Sequence, residues 1–491
     1  MKSKFSKVLS ILLSVVLVIS SFYLLYQVIR LNVLPSKFLF PLTIGVVVLD
    51  AIFVLLLVYF SRNVVSKIIC IVLTLFICLA SCMGGYYISK TQGALSNITN
   101  VAKHAKNTVS VIVKESSSIK NKSQLNGVSV GTLRLNEEGS KKALKELSSE
   151  GIALNQTEYD SMTALLEAFY NGEVDSIIMN ESSRSQILDM EAYSNFDSNT
   201  RVVYQTSYKV KNNDSATSVS DITSKPFNVL ISGSDSRGGF DENGRSDVIM
   251  IATVNPKTHT ILLTSVPRDF YVTTACDAGD GCMQGALDKI THTGIHGTNT
   301  TKRTVEQLLG IEINYTFKVG FDTVTELVDV LGGVDVYVEP GYATTTSEFS
   351  VHEGVNHLNA QQALAFARER YSYTEGDRQR TKNQQQVLMG IVKEATKPSV
   401  ITNYAAIMDT MANTFSTTMS NEEITALIKY QLNNNPTWKM EQYMVDGTGD
   451  TLMCAELGDA ASVMVPDQST VKMAKEKINA VLAGKTSEDV K

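Results

Sequence analysis

Arginine and aspartate gather at four places in the C-terminal half of this 491-residue sequence. Gly233-Ser234-Asp235-Ser236-Arg237 ends one apolar run, Gly244-Arg245-Ser246-Asp247 opens a second, and Pro267-Arg268-Asp269 closes a third. The fourth place is 367–386, ARERYSYTEGDRQRTKNQQQ, where Arg368, Arg370, Arg378, Arg380 and Lys382 stand among Glu369, Glu375 and Asp377. A guanidinium keeps its charge and donates through a planar fork, so several arginines together suit a phosphate or diphosphate. Carboxylates such as Asp235 and Asp247 are out of place at an anion site unless a divalent cation joins them to the phosphates. Mg²⁺, or Mn²⁺ in its stead, does this with one or two carboxylates and several waters. Taken alone, the 367–386 run also fits surface ion pairs; the three clusters at the ends of apolar runs favour a site. His292, His296, His352 and His357 are scattered through polar stretches and are assigned no role.

The apolar runs 227–233, 247–254 and 260–267 are short and bounded by turn residues, which predicts buried strands. Open α/β sheets place ligands just beyond strand ends, where these clusters fall. Helical periodicity marks 302–309, 321–331, 359–370 and 378–394, and VDVYV (334–338) is a further strand. An α/β domain is expected over 226–398, followed by a helical extension over 399–491 that includes 421–432. Upstream, strands at 108–113, 128–133 and 174–179 alternate with helical patterns at 138–147 and 161–170, so a second α/β unit with a largely parallel sheet is expected over 100–212. The order of IKNKSQLNGVSVGT (119–132) and YDSMTALLEAFYNGEVDSIIMN (159–180) resembles one lobe of a periplasmic solute-binding protein. A lone lobe lacks half of such a cleft, so an accessory scaffold or interaction domain is expected rather than a ligand sensor. The polar run 211–226 reads as a linker, which makes the two α/β units separable domains.

The net charge of −6 argues against general nucleic-acid affinity, which shows as a basic excess. Asp50 is the single acid in residues 1–88. Within this anchor region, 1–90, the stretches 8–29, 38–60 and 68–88 are each apolar for about 20 residues, enough to cross a hydrocarbon core about 30 Å thick. Lys2, Lys4 and Lys7 before the first span, with Arg62 and Lys67 after the second, outweigh Arg30 and Lys37. The N-terminus is therefore expected in the cytoplasm and the chain beyond the third span outside. Asp50, near mid-span, is expected to hydrogen-bond to a neighbouring helix. Cys276 and Cys282 flank a Gly/Asp-rich loop on the oxidising side, where a disulfide is expected and zinc is the alternative. Cys454 has no assigned partner.

Five stretches carry a family resemblance: FNVLISGSDSRGG (227–239), GRSDVIMIATVNPKTHTILLTSVPRDFYV (244–272), LDKITHTGIHG (287–297), VGFDTVTELVDVLGGVDVYVEP (319–340) and ALAFARERYSYTEGDRQRTKNQQQVL (363–388). Together, in this order, they resemble the LytR-CpsA-Psr family. A three-span anchor followed by an accessory domain is similar to its CpsA-type members, found with streptococcal capsule loci. The resemblance implies an α/β/α catalytic domain that moves a capsular polysaccharide or related glycopolymer from a polyprenyl-diphosphate carrier to cell-wall peptidoglycan, releasing polyprenyl phosphate. It implies that Asp235 and Asp247 hold Mg²⁺, that Arg245, Arg268, Arg368, Arg370 and Arg380 grip the diphosphate, and that Asp377 and Gln384 orient this cluster. Arg268 and Asp247 would be central to catalysis. Charge would build on phosphoryl oxygens as a wall-sugar hydroxyl attacks, and arginine with Mg²⁺ would stabilise it. No general base is obvious; Asp247 or Asp269 could serve if free of metal. The polyprenyl tail needs an apolar channel, expected along 321–331 and 387–391. The loop 274–284 is longer than the family pattern and is expected to shape acceptor choice.

The family also carries a non-catalytic description, an integral membrane regulator of capsule synthesis or export acting through polymerisation, export or kinase partners. Direct DNA binding is disfavoured, because only a few residues and one short loop lie on the expected cytoplasmic side. A carrier-lipid binding protein without turnover is a third reading.

Overall fold

The computed structural model describes residues 2–60, 63–101, 104–134, 137–211, 214–234, 242–277, 281–397, 399–400, 406–411 and 415–490. The chain divides into two compact units, one formed by Met1–Asn97, Ala395–Ala412 and Ser420–Pro436, the other by Ile98–Glu394, Asn413–Met419 and Thr437–Lys491.

In the first unit, Ser6–Leu31, Ser36–Tyr59 and Val64–Ser96 are helices long and apolar enough to cross a membrane. Ser21 Oγ donates to Asp50 Oδ1 at 2.9 Å, so the lone acid joins the first helix to the second. Helix Asn421–Asn434 belongs to this unit. Lys429 Nζ reaches Asn32 Oδ1 at 2.5 Å, and Lys37 Nζ reaches the Asn433 carbonyl at 2.5 Å.

The second unit holds two sheets. The first runs Asn155–Tyr159, Ser129–Leu133, Ser176–Asn180, His104–Lys114, Thr200–Lys211. Its first three strands are parallel and the last two join antiparallel, so it is mixed rather than largely parallel. Thr200–Lys211, which no apolar run announces, pairs with the full length of His104–Lys114. It is a half-exposed strand whose alternating TRVVYQTSYKVK pattern needs only one buried face.

The main sheet runs Phe415–Thr417, Tyr315–Gly320, Phe227–Ser234, Ser246–Asn255, Thr260–Val266, Lys439–Met444. Phe227–Ser234, Ser246–Asn255 and Thr260–Val266 form an antiparallel meander, flanked by a parallel neighbour on each side. Its core joins Leu230, Ile251 and Leu262 to Val305 of helix Thr298–Leu309 and to Val471, Ala474 and Ile478 of helix Gln468–Leu482. A second cluster unites Val334, Phe366 and Val387.

Two expectations are corrected. Residues 399–491 are not a helical extension: Lys439–Met444 is an edge strand of the main sheet, Gly447–Cys454 and Asp459–Pro466 form a hairpin, and Gln468–Leu482 fills the core. KMEQYM has no apolar run because an edge strand is stabilised by its ladder with Thr260–Val266 more than by burial. The two α/β regions, expected as separable domains, lie in one compact unit. The linker itself is tied down, with Thr217 N donating to the Asn314 carbonyl at 2.9 Å and Val219 N to Tyr315 Oη at 3.0 Å. Cys276 and Cys282 form a disulfide. Cys454 is buried, and burial pushes its thiol up to about 11, which makes it an inert core group.

Asp214, in the linker, accepts from Thr316 Oγ1 at 2.6 Å through Oδ2, while Oδ1 has no hydrogen-bond partner among the described residues. Burial pushes its carboxyl up to about 6 from an ordinary 3.8. The folded state therefore holds this proton more tightly than the unfolded chain. The resulting stabilisation is complete below the ordinary value and lost as pH rises through about 6. Asp214→Asn is expected to raise the melting temperature at about pH 7.5 more than at about pH 5, measured by thermal unfolding of the detergent-solubilised protein. An equal change at both values would remove Asp214 as the titrating group.

Candidate active site

The meander explains why the scattered clusters meet. Ser246–Asn255 begins where Thr260–Val266 ends, with Ile249 opposite Val266. Arg245, just before the first of these strands, Asp247, its second residue, and Arg268, just after the other, therefore share one end of the sheet. Arg268 Nη1 donates to Asp247 Oδ1 at 2.9 Å, Thr291 Oγ1 donates to the same oxygen at 3.2 Å, and Arg245 Nη2 lies 4.0 Å from Oδ2. Beneath them, Ser246 Oγ bonds Ser232 Oγ at 2.9 Å and Thr301 Oγ1 at 3.0 Å. Gly294 packs against this backbone so closely that a Cβ would stand 2.5 Å from Ser246 N.

Helix Asp377–Ala395 supplies the other wall. Gln385 Nε2 donates to Ser265 Oγ at 2.9 Å and to the Tyr443 carbonyl at 2.8 Å, while Asn383 Nδ2 donates to the Phe366 carbonyl at 3.0 Å. These buried polar side chains fix the helix's rotation. Arg380, Gln384, Val387, Leu388 and Ile391, each three or four residues from another of the set, then form one stripe that changes from cationic to apolar. Asp377 pairs with Arg380 one turn earlier.

The result is a cavity of about 460 Å³ lined by Arg245, Asp247, Arg268, Arg368, Arg370, Arg380 and Gln384. The side chains of Arg245, Arg268 and Arg380 are only 9%, 16% and 14% exposed. Burial, with Arg268 and Arg370 nearby, pulls Arg380 below the usual guanidinium value against the opposing Asp377 and Asp247. Burial pushes Asp247 the other way, yet Arg268, Arg245 and Arg380 hold it below the ordinary carboxylate range. Arg268 Nε and Arg380 Nε are buried donors with no hydrogen-bond partner among the described residues. Crowded cations with unmet donors favour an anion with several oxygens.

An apolar cleft adjoins this cavity and shares Val248, Arg368 and Gln384 with it. The expected channel residues Val324, Val387, Leu388 and Ile391 line it; Ile231, Met250 and Val319 from the sheet complete it.

Of the expected residues, Asp377 supports Arg380 without lining the cavity, and Asp235 lies outside the described residues. Asp269 is engaged by Arg268 Nε at 3.7 Å and Lys289 at 3.4 Å. Arg378 turns away to Asp446 at 2.7 Å. His292 and His296 pair with Asp288 at 2.7 Å and Glu456 at 2.8 Å, outside the cavity. Sequence reading missed Thr291, Tyr371 and Asp189. Tyr371 lies inside the 367–386 run, so its place beside Arg370 was the one available signal; Asp189 comes from the distant first sheet's lobe and has none.

Residues 192–480 match the LytR_cpsA_psr family. This chain belongs to the LytR-CpsA-Psr family. The polyisoprenyl-teichoic acid–peptidoglycan teichoic acid transferase TagU of Bacillus cereus (strain AH820) is 30% identical over 236 residues, covering 48% of this chain and 74% of that protein. TagU of Bacillus subtilis (strain 168) is 35% identical over 196 residues, 40% of this chain and 60% of that protein. The crystal structure of B. subtilis TagU aligns at 28% identity and TM-score 0.41, over 52% of this chain and 97% of that one. The LytR-CpsA-Psr match takes in most of the arginine cavity but begins after Asp189.

Arg268→Lys keeps the charge and loses the fork that spans Asp247 and the cavity. It is expected to weaken binding of inorganic pyrophosphate by about tenfold or more. Titration calorimetry on the solubilised protein measures this, and binding within about twofold of the parent would show that charge alone suffices.

Proposed function

We propose that this chain is a membrane-anchored phosphotransferase that attaches a capsular polysaccharide, or a related glycopolymer, from a polyprenyl-diphosphate carrier to peptidoglycan. The observation that carries this reading is the junction of a five-arginine cavity with an apolar cleft, through Val248, Arg368 and Gln384. A diphosphate head on an isoprenoid tail has this same change of chemistry along its length. The TagU relatives, named as polyisoprenyl-teichoic acid–peptidoglycan transferases, support the same class of donor and acceptor. In this reading the chain beyond the third membrane helix faces the cell wall, with capsule polymerisation or export proteins as neighbours.

The acceptor hydroxyl attacks the phosphorus that bears the glycan. A new P–O bond forms to the acceptor, the bridging P–O bond breaks, and polyprenyl phosphate leaves with the electron pair. Arg245, Arg268 and Arg380, already stripped of most water, stabilise the charge on the phosphoryl oxygens without reorganising. Asp247 is held ionised by these cations and is a weak proton acceptor. Its work is to orient Arg268, and the hydroxyl proton passes to solvent or to Asp269. Asp247, whose Oδ1 is engaged by Arg268 and Thr291, and Asp235 are the carboxylates that would hold Mg²⁺ or Mn²⁺. Such an ion would add Lewis-acid neutralisation of the diphosphate.

Organic extraction of the purified full-length protein, followed by mass spectrometry, is expected to yield polyprenyl phosphate or diphosphate. Asp247→Ala and Arg268→Ala are each expected to lower transfer from a polyprenyl-diphosphate oligosaccharide by at least about a hundredfold, with EDTA mimicking the first. Cells that attach their glycopolymer normally with both substitutions would instead support the regulator.

A further inference from the structure

One wall of the arginine cavity comes from outside the matched family region. Ser185, Leu188 and Asp189 line it, and they sit on helix Arg184–Asp189 of the first sheet's lobe, ahead of residue 192. That helix is firmly seated in its own lobe. Ile187 is fully buried in the cluster that contains Phe169 and Phe196. Arg184 pairs with Glu181 at 2.5 Å and with Asp197 at 2.8 Å, and its guanidinium lies 5.4 Å from the Phe196 ring centre. The last residue of the helix, Asp189, forms an ion pair with Arg245 Nη1. Asp189 is 55% exposed and Arg245 only 9%, so the carboxylate closes off a guanidinium that is otherwise enclosed.

Resting on the reading of this cavity as the diphosphate site, we propose that Asp189 is an intramolecular counter-ion that holds Arg245 until the donor's diphosphate displaces it. A carboxylate and a phosphoryl group accept from the same guanidinium donors, so only one of them can hold that edge of Arg245. A ligand with two phosphoryl groups engages several of the five arginines at once and outcompetes Asp189. A ligand with a single phosphoryl group engages fewer and competes poorly. Each phosphoryl ligand that takes this edge of Arg245 bears the same cost of displacing Asp189, and Asp189 returns to Arg245 as the product leaves. Because the helix is anchored by Ile187 and Arg184, the exchange needs only rotation of the Asp189 side chain.

The test is binding of farnesyl diphosphate and farnesyl monophosphate to the full-length protein in detergent, for the parent, Asp189→Asn and Asp189→Glu. Asp189→Asn is expected to bind both probes more tightly, with the diphosphate gaining about tenfold and the monophosphate as much or less. Asp189→Glu keeps a carboxylate within reach of Arg245 and is expected to stay within about twofold of the parent for both probes. Unchanged or weaker binding by Asp189→Asn would overturn the proposal and make Asp189 a support that positions Arg245. If neither the parent nor Asp189→Asn binds farnesyl diphosphate, the diphosphate reading of the cavity fails, and the proposal with it; the two failures are thus told apart.

Discussion

Three guanidiniums, of Arg245, Arg268 and Arg380, lie together mostly out of water, and Asp247 is the carboxylate that stands among them. Each buried charge costs several kcal/mol unless it is paired, and removing one partner of such a set costs about 3–5 kcal/mol. The surrounding structure answers this demand. Asp247 bonds Arg268, Asp377 answers Arg380 from the preceding helical turn, and Asp189 answers Arg245 from another sheet's lobe. The antiparallel meander brings Asp247 beside Arg268, and Gly294 lets a neighbouring turn brace the Arg245 backbone.

The pairing is incomplete by design of the geometry. Among the described residues two buried Nε–H donors lack hydrogen-bond acceptors, and burial with its cationic neighbours pulls Arg380 below the usual guanidinium value. A polyanion of the kind proposed would relieve all of these at once, and its binding energy would then be largely relief of electrostatic stress in the free protein. The stress is borne by a sheet with a large core on one side and a rotationally fixed helix on the other.

Legibility in the sequence followed burial. Phe227–Ser234, Ser246–Asn255 and Thr260–Val266 were readable because central strands buried on both faces are written as continuous apolar runs. Thr200–Lys211 and Lys439–Met444 were not, because half-exposed strands at a sheet's edge take their place from a partner's backbone. The cavity was readable because arginine and aspartate at strand ends are unusual as pairs. Spacing inside the 367–386 run could not by itself separate Arg380 from Arg378. Two residues along a helix turn a side chain by about 200°, which sends Arg378 to Asp446 while Arg380 faces the cavity. Asp189 was invisible because nothing local foretells a contact between lobes.

The parallel edge strand has a consequence for biosynthesis. Lys439–Met444 pairs with Thr260–Val266, and Gln468–Leu482 completes a core whose other members lie between Leu230 and Ile313 and at Val445. At ordinary translation speeds, on the order of ten seconds separate the emergence of Thr260–Val266 from that of its parallel partner. During that interval an apolar strand has one uncovered edge, the kind that pairs with other chains. Nascent chains of this protein are therefore most exposed to misassembly before Lys439–Met444 and Gln468–Leu482 are made, and a ribosome stalled ahead of them leaves the sheet without its edge strand.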